Sequence, residues 1–315
     1  MSVPTTLPQL DADVFLTDGG IETTLIFDDG LDLPDFAAFV LLDDPAGRAA
    51  LVRYFERYAE IAVRDRVGIV LESATWRANP DWAARLGYSP ERLDEANRAA
   101  IRMLADIRSR FETPETPVVI SGCIGPRGDG YRADALMNAD EAASYHERQA
   151  RVLAEAGADL LTAITMTYPD EAIGITRAAR AAGVPVVIAF TVETDGALPD
   201  GSALGDAITA VDEATDGYPA YYMVNCAHPS HFAHVLDADA PWAGRLRGIR
   251  ANASKRSHAE LDEAEELDAG DPDELASDYR SLRRRLPHIT VLGGCCGTNH
   301  EHIAAISAVN APHAR

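Results

Sequence analysis

Lysine is almost absent from this chain of 315 residues, in which Lys255 is the only one, and cysteine occurs four times. Acidic residues outnumber basic ones so strongly that the formal net charge at pH 7 is −22. Such a charge argues against nucleic acid as a partner, because nucleic acid requires a basic surface, and against anionic membranes. Four cysteines are too few for a disulfide framework in a chain that can build its own hydrophobic core.

Long apolar runs and a targeting segment are also missing. No stretch approaches the roughly 20 apolar residues of a membrane helix, and residues 1–12 lack the basic and apolar segments of a signal peptide. We therefore expect a cytoplasmic protein, in which thiols stay reduced and available to a metal. Because no Pro-, Gly- or Ser-rich linker divides the chain, a single domain over residues 1–315 is predicted.

Short apolar runs alternate with amphipathic segments along the whole sequence. Eight runs predict strands, which begin near Val14, Val67, Val118, Leu160, Val184, Tyr221, Leu246 and Ile289. The clearest helical segments between them are 46–66, 90–111, 140–156 and 170–182. Repeated strand–helix units of this number predict a parallel (β/α)₈ barrel, the TIM barrel, in the α/β class. A doubly wound sheet is less favoured, because no Gly-x-Gly-x-x-Gly turn follows the first run.

Three of the four cysteines lie at the ends of two predicted strands, whereas Cys123, which follows the third strand, is expected to pack. Cys226 ends the sixth run, and Cys295 and Cys296 come after two glycines at the end of the eighth. In a barrel all strands end on the face where active sites lie, so these thiols are expected to converge. Three cysteine ligands with an open fourth position are typical of catalytic zinc, because structural zinc sites close all four positions. Ordinary packing of small buried thiols is the alternative interpretation.

The order of several motifs resembles that of homocysteine S-methyltransferases over nearly the full chain. The motifs are Asp18-Gly19-Gly20 with Thr23 and Leu25, Gly122 to Pro126, Asn225-Cys226, and Gly293-Gly294-Cys295-Cys296 followed by Glu301-His302-Ile303. The resemblance implies a zinc-dependent (β/α)₈ barrel in which Cys226, Cys295 and Cys296 bind zinc and carry the chemistry. It also implies that Asp18, Gly19 and Gly20 hold the polar end of homocysteine. Asn225 would orient the cysteine beside it and is counted among the residues of the substrate site.

Two further residues are candidate contacts of the substrate. Glu72 follows the second predicted strand and Thr165 follows the fourth, so both face the expected site. The family usually has a Glu-Thr pair at the fourth strand, whose Glu holds the amino group of homocysteine, whereas this chain has Ile164-Thr165. A buried ammonium group without a partner is costly. Either Glu72, Asp18 or Glu193 therefore replaces that Glu, or the acceptor is a thiol other than homocysteine.

The predicted function is S-methylation of a thiol. Zinc lowers the pKa of a bound thiol, and the thiolate is the reactive nucleophile. The resemblance implies transfer of a methyl group to homocysteine from a sulfonium donor, S-methylmethionine or S-adenosylmethionine, with methionine as the product. The expected partners are thus a small-molecule thiol acceptor and a methyl donor, and a homo-oligomer is left open.

Other interpretations rest on particular features of the sequence. The family also includes thiol-activating modules of corrinoid-dependent synthases, so the chain would be a subunit of such a system. Lys255 would be the Schiff-base residue if the protein were a lyase, although the polar residues around it predict an exposed side chain. His228, His231 and His234 form a second group of potential metal ligands, but such residues usually lie on a solvated helix. Of two long loops, 127–138 is expected to cover the site and 254–271 to extend into solvent.

Overall fold

The barrel closes through eight parallel strands in a computed structural model that describes residues 7–134, 136–264 and 266–311. The strands are β1 (Phe15–Thr17), β2 (Gly68–Glu72), β3 (Val118–Ile124), β4 (Leu160–Met166), β5 (Val186–Phe190), β6 (Tyr221–Asn225), β7 (Leu246–Ala251) and β8 (Val291–Gly294). Each strand pairs with the next one along the chain, and β8 pairs with β1. The predicted (β/α)₈ barrel is confirmed.

Helices connect the strands, and the long ones pack on the outside of the barrel. They are α1 (Ile21–Thr23), α2 (Pro45–Asp65), α3 (Pro80–Arg85), α4 (Pro90–Phe111), α5 (Ala139–Glu155), α6 (Pro169–Ala182), α7 (Leu204–Ala214), α8 (Pro229–Phe232), α9 (His258–Asp262), α10 (Pro272–Arg285) and α11 (His300–Asn310). Proline at the first helical position and an Asp or Ser cap start several of them, as Asp44 does for α2 and Ser89 for α4. Within the described residues, no helix is both long and apolar enough to cross a membrane.

Apolar side chains pack on both sides of the strands. The larger cluster lies between strands and helices and includes Phe55, Leu104 and Phe190. The second cluster takes alternate residues of the strands, which face the barrel interior because side chains alternate along a strand, and includes Phe15, Val187 and Met223. The filled interior leaves the carboxyl ends of the strands as the floor of an open cavity.

A tyrosine from α10 ties the carboxyl ends of β7 and β8 together. The Tyr279 side chain is fully buried, and its hydroxyl accepts a hydrogen bond from the Ala251 N–H at 2.8 Å and donates one to the Gly293 carbonyl at 2.6 Å. The Cys295 N–H in turn donates to the Ala251 carbonyl at 2.8 Å. Tyr279 therefore fixes the backbone from which the cysteine pair projects.

We expect Tyr279→Phe to lower the free energy of unfolding by about 1–3 kcal/mol, because the buried Ala251 N–H loses its acceptor. Urea denaturation followed by circular dichroism measures this loss. Tyr218→Phe is the matched control: its hydroxyl donates to the Val184 carbonyl at 3.0 Å, but the side chain is partly exposed, so water replaces the lost bond. Equal stability of wild type and Tyr279→Phe would contradict the role given to this hydroxyl.

Candidate active site

The sulfur atoms of three cysteines meet at the carboxyl end of the barrel. Cys226 follows β6, Cys295 and Cys296 follow β8, and their sulfurs all lie within 4.8 Å of one another, with 3.5 Å between Cys226 Sγ and Cys296 Sγ. Among the described residues this is the one group of three or more His, Cys, Asp or Glu side chains close enough to share a metal ion. The convergence expected from the strand order is present in the structure.

The three thiols are not electrostatically equivalent. Hydrogen bonds from Cys226 and Cys296, helped by the positive charge of Arg250, hold the pKa of Cys295 well below its usual range. The hydrogen bonds to Cys295 and Cys296, together with burial, raise the pKa of Cys226 well above it. A thiolate surrounded by sulfur donors is a ready ligand for a soft or borderline cation such as zinc.

Asn225 links the ends of three strands around this group. Its Oδ1 accepts a hydrogen bond from the Thr165 N–H at 2.9 Å, and its Nδ2 donates to Thr165 Oγ1 at 3.0 Å and to Cys295 Sγ at 3.8 Å. Thr165 and Cys226 both have left-handed backbone conformations, with φ of 65° and 56°. Such conformations are unfavourable for residues other than glycine and are often found at functional sites. Here they turn the chain at the ends of β4 and β6.

The two glycines before the cysteine pair are required by close contacts. A Cβ atom on Gly293 would lie 1.7 Å from Thr17 Oγ1, and one on Gly294 would lie 2.0 Å from Thr298 Oγ1. In the loop after β1, a Cβ on Gly20 would lie 2.5 Å from the Cys295 carbonyl oxygen. Glycine thus lets the loops after β1 and β8 pack directly against each other.

The loop 127–138 brings a tyrosine over the sulfurs. Tyr131 Oη lies 3.3 Å from Cys226 Sγ and 3.3 Å from Cys296 Sγ. Its ring stacks on His258 with 4.1 Å between centroids, and His258 Nε2 hydrogen-bonds the Cys226 carbonyl at 2.8 Å. His258 Nδ1 lies 3.1 Å from Glu193, so Glu193 is engaged outside the sulfur group. The expectation that this loop covers the site agrees with the structure.

A buried arginine holds two of the candidate carboxylates. Arg250 Nη2 donates to Asp18 Oδ1 at 2.7 Å, and Arg250 Nη1 lies 3.7 Å from Glu72 Oε1. Tyr54 also donates to Asp18 Oδ2 at 3.0 Å. Burial raises the pKa of Asp18, and it raises the pKa of Glu72 to about 7 although Arg250 opposes both shifts. Burial alone would lower the pKa of Arg250, but the two carboxylates raise it.

The cysteines and the buried charges line one cavity of about 380 Å³. Its lining includes the three cysteines, Tyr131, Arg250, and the predicted contacts Asp18, Gly19, Gly20, Glu72 and Thr165. Asn225, predicted together with these contacts, does not line the cavity, because its amide is bonded to Thr165 and Cys295. Ile164 and Trp76 supply apolar wall, and Glu22 adds a further carboxylate.

The expectation that 254–271 extends into solvent is wrong. Ser254, Leu261 and Leu267 line the cavity, and His258 is buried against Cys226. The physical reason is that Leu261 and Leu267 lie among the acidic residues of this loop. Their apolar side chains are stabilised by leaving water and contacting the opening of the cavity. The loop therefore forms one wall of the site.

The two other candidate groups lie outside the sulfur cluster. His234 is exposed, as expected, whereas His228 and His231 are buried. His231 Nε2 hydrogen-bonds the Lys255 carbonyl at 2.9 Å, and His228 caps α8 by accepting from the Ser230 N–H. Lys255 is half exposed, pairs with Glu274 and does not line the cavity. Its predicted exposure agrees with the structure, and nothing places its amine at the site.

Sequence reasoning missed Arg250, Tyr131, His258 and Glu22. Arg250 is a charged residue directly after the apolar run Leu246 to Ile249, a position that in a barrel points to the site face. Glu22 follows the Asp18-Gly19-Gly20 turn closely enough to have been suspected. Tyr131 and His258 lie in long loops, whose path the spacing of apolar residues does not predict.

Comparison with known proteins places the chain in a family. A model of the homocysteine S-methyltransferase family matches residues 15–309. The chain is 25% identical to homocysteine S-methyltransferase 4 of Zea mays, over 93% of this chain and 88% of that protein. It is 23% identical to homocysteine S-methyltransferase YbgG of Bacillus subtilis, over 89% of each. The metallated form of the homocysteine methyltransferase MmuM from Escherichia coli has the same fold, with a TM-score of 0.72, 21% identity and coverage of 96% of this chain and 98% of that one.

We expect Arg250→Met to lower the free energy of unfolding by about 3–5 kcal/mol, because it leaves two buried carboxylates without their cation. The control is Arg151→Met, which removes the cation of an exposed pair with Glu155 and should change stability by less than about 1 kcal/mol. Urea denaturation at neutral pH compares the two. Similar losses in both variants would contradict the buried ion cluster.

Proposed function

The chain belongs to the homocysteine S-methyltransferase family, and on that premise we propose that it moves a methyl group from a sulfonium donor, S-methylmethionine or S-adenosylmethionine, to homocysteine. The product would be methionine. The observation that carries the proposal is the meeting of the Cys226, Cys295 and Cys296 sulfurs in one cavity. The names of the relatives in maize and B. subtilis support homocysteine as the acceptor.

We infer that these three sulfurs hold zinc. A tetrahedral site with Zn–S bonds of about 2.3 Å needs neighbouring sulfurs about 3.8 Å apart. The observed separations, 3.5 Å between Cys226 and Cys296 and at most 4.8 Å within the group, fit that donor set. Bound zinc would supply Lewis acidity that lowers the pKa of a thiol acceptor, so that the acceptor is held as its thiolate.

The proposed transfer balances with acceptor and donor alone. The acceptor sulfur attacks the methyl carbon, a new carbon–sulfur bond forms, and the carbon–sulfur bond of the sulfonium breaks. Its electron pair stays on the donor, which leaves as a neutral thioether, and the thiol proton passes to solvent. No general base is needed in this scheme, because the acceptor reacts as its thiolate.

We propose that the residues predicted from the sequence hold the acceptor. Glu72 Oε2 and Arg250 Nη1 are buried without a hydrogen-bond partner among the described residues, so both are available to a polar ligand. Asp18 lies beside them, and Gly19 and Gly20 let the backbone approach. Thr165 contributes to the opposite wall, and Asn225 orients Cys295 from behind. One domain over residues 1–315 is proposed, of which the family match covers 15–309.

Metal content and turnover test this proposal together. Protein purified under reducing conditions without chelator should contain about one zinc per chain and form methionine from homocysteine and a sulfonium donor. Cys296→Ser should lose both, because two sulfurs no longer hold the ion firmly. Cys123→Ser is the matched control: Cys123 lines the cavity but is not part of the sulfur group, so zinc should be retained.

Two results would contradict the proposal in different ways. A metal-free wild type of ordinary stability would remove the zinc site and return the cysteines to packing or redox roles. A zinc-loaded protein that methylates homocysteine only when a corrinoid methyl carrier is added would instead support the subunit alternative.

A further inference from the structure

Six carboxylates of the described residues line the cavity, and most of them already have a partner. They are Asp18, Glu22, Glu72, Asp129, Glu266 and Asp268. Asp18 and Glu72 share Arg250, at 2.7 Å and 3.7 Å. Asp268 accepts from Ser254 Oγ at 2.7 Å and lies 3.6 Å from Arg256. Asp129 accepts from the Tyr131 N–H at 2.8 Å, and Glu266 is exposed to solvent. The remaining carboxylate is Glu22.

Glu22 is half-buried and lacks a cationic partner. Within the part of the chain that the structure describes, no Arg, Lys or His nitrogen lies within 4.0 Å of its carboxylate. Arg77 is the cation whose charge acts on the Glu22 carboxylate. Its guanidinium, however, stacks on Trp76 and Trp82, at 4.1 Å and 3.7 Å from the ring centroids, and donates to the Gly128 carbonyl. Burial raises the pKa of Glu22 to about 8, with Cys295 and Asp18 adding to the effect. A bound cation would remove this penalty.

The position of Glu22 relative to the sulfurs is fixed by backbone contacts. Its short helix α1 follows the Asp18-Gly19-Gly20 turn, and the Gly20 N–H donates to the Thr298 carbonyl at 2.9 Å. The Gly297 N–H donates to Thr23 Oγ1 at 3.1 Å. The loop after β1 is thus bonded on both sides of Glu22 to the turn that contains Cys295 and Cys296.

The β4 side of the cavity offers no charge to a cationic ligand, because β4 has no charged residue. Ile164 lines it, and its side chain is 7% exposed. Homocysteine carries an ammonium group a few bonds from its sulfur, and burial of that group without a counter-charge is costly. The counter-charge for this ammonium group is therefore expected on the β1 side of the cavity rather than on the β4 side.

We propose that Glu22 binds the ammonium group of the thiol acceptor and so selects amino-acid thiols over simple thiols. This inference rests on the proposed function, since it requires that a thiol be the acceptor. It differs from the expectation that Asp18, Glu72 or Glu193 binds the ammonium group. Asp18 and Glu72 already share Arg250 as an ion-pair partner, and Glu193 lies 3.1 Å from His258 and does not line the cavity.

The test compares two acceptors that differ only in the ammonium group: homocysteine and mercaptobutanoate, its des-amino analogue. For the zinc-loaded enzyme, Glu22→Gln should lower kcat/KM for homocysteine about 10- to 100-fold, the usual effect of removing a charged hydrogen-bond partner. The value for mercaptobutanoate should stay unchanged. Glu22→Asp should recover part of the loss, and Glu266→Gln, a carboxylate at the rim, should behave as wild type.

Binding and metal measurements exclude a merely structural effect. Calorimetric Kd for homocysteine should weaken in Glu22→Gln by a similar factor, while zinc content and urea stability stay at wild-type values. If Glu22→Gln does not fold, the acceptor ratio of Glu22→Asp against wild type still tests the assignment.

The possible results separate this inference from the proposed function. An equal fall with both acceptors, or no fall with homocysteine, would overturn the role of Glu22. A wild type that uses both thiols equally well would also overturn it while leaving thiol methylation intact. A wild type that methylates neither thiol would instead contradict the proposed function.

Discussion

Closure of the barrel is the constraint on which the site depends. Cys226 follows β6 and the Cys295-Cys296 pair follows β8, and β7 lies between these strands. Curvature turns the three strand ends toward one axis, so the sulfurs come within 4.8 Å of one another. Tyr279 and Asn225 then hold the strand ends in register through hydrogen bonds to backbone and sulfur. The convergence of the three sulfurs is therefore a consequence of topology reinforced by a few buried polar side chains.

The same convergence concentrates charge in a space shielded from water. Asp18, Glu72 and Arg250 are almost completely buried, and together they keep one negative charge more than the arginine neutralises. Burial opposes that charge, as the raised pKa of Glu72, about 7, indicates. A cavity of this kind favours ligands that bring positive charge, which suits both an amino-acid thiol and a sulfonium donor. The apolar wall at Ile164 limits where such charge can be placed.

The barrel and the cysteine group could be predicted from the sequence because both depend on periodic features. Apolar runs mark each strand, and the residue after a run faces the site, as with Cys226 and Glu72. Arg250 obeys the same rule and was open to prediction. Tyr131 and His258 were not, because their positions depend on the path of long loops with no fixed period. The wrong expectation for 254–271 has the same cause. The many acidic residues of this loop suggested solvent exposure, whereas Leu261 and Leu267 line the cavity.

X-ray absorption at the zinc edge, with and without homocysteine, tests most directly whether three cysteines present an open position to a thiol. The account predicts three sulfur neighbours and one lighter atom in the free protein, and four sulfurs after homocysteine is added. Cys296→Ser should lower the sulfur count or abolish metal binding. A sulfur count that stays the same when homocysteine binds, or a zinc bound through His or carboxylate ligands, would contradict the account.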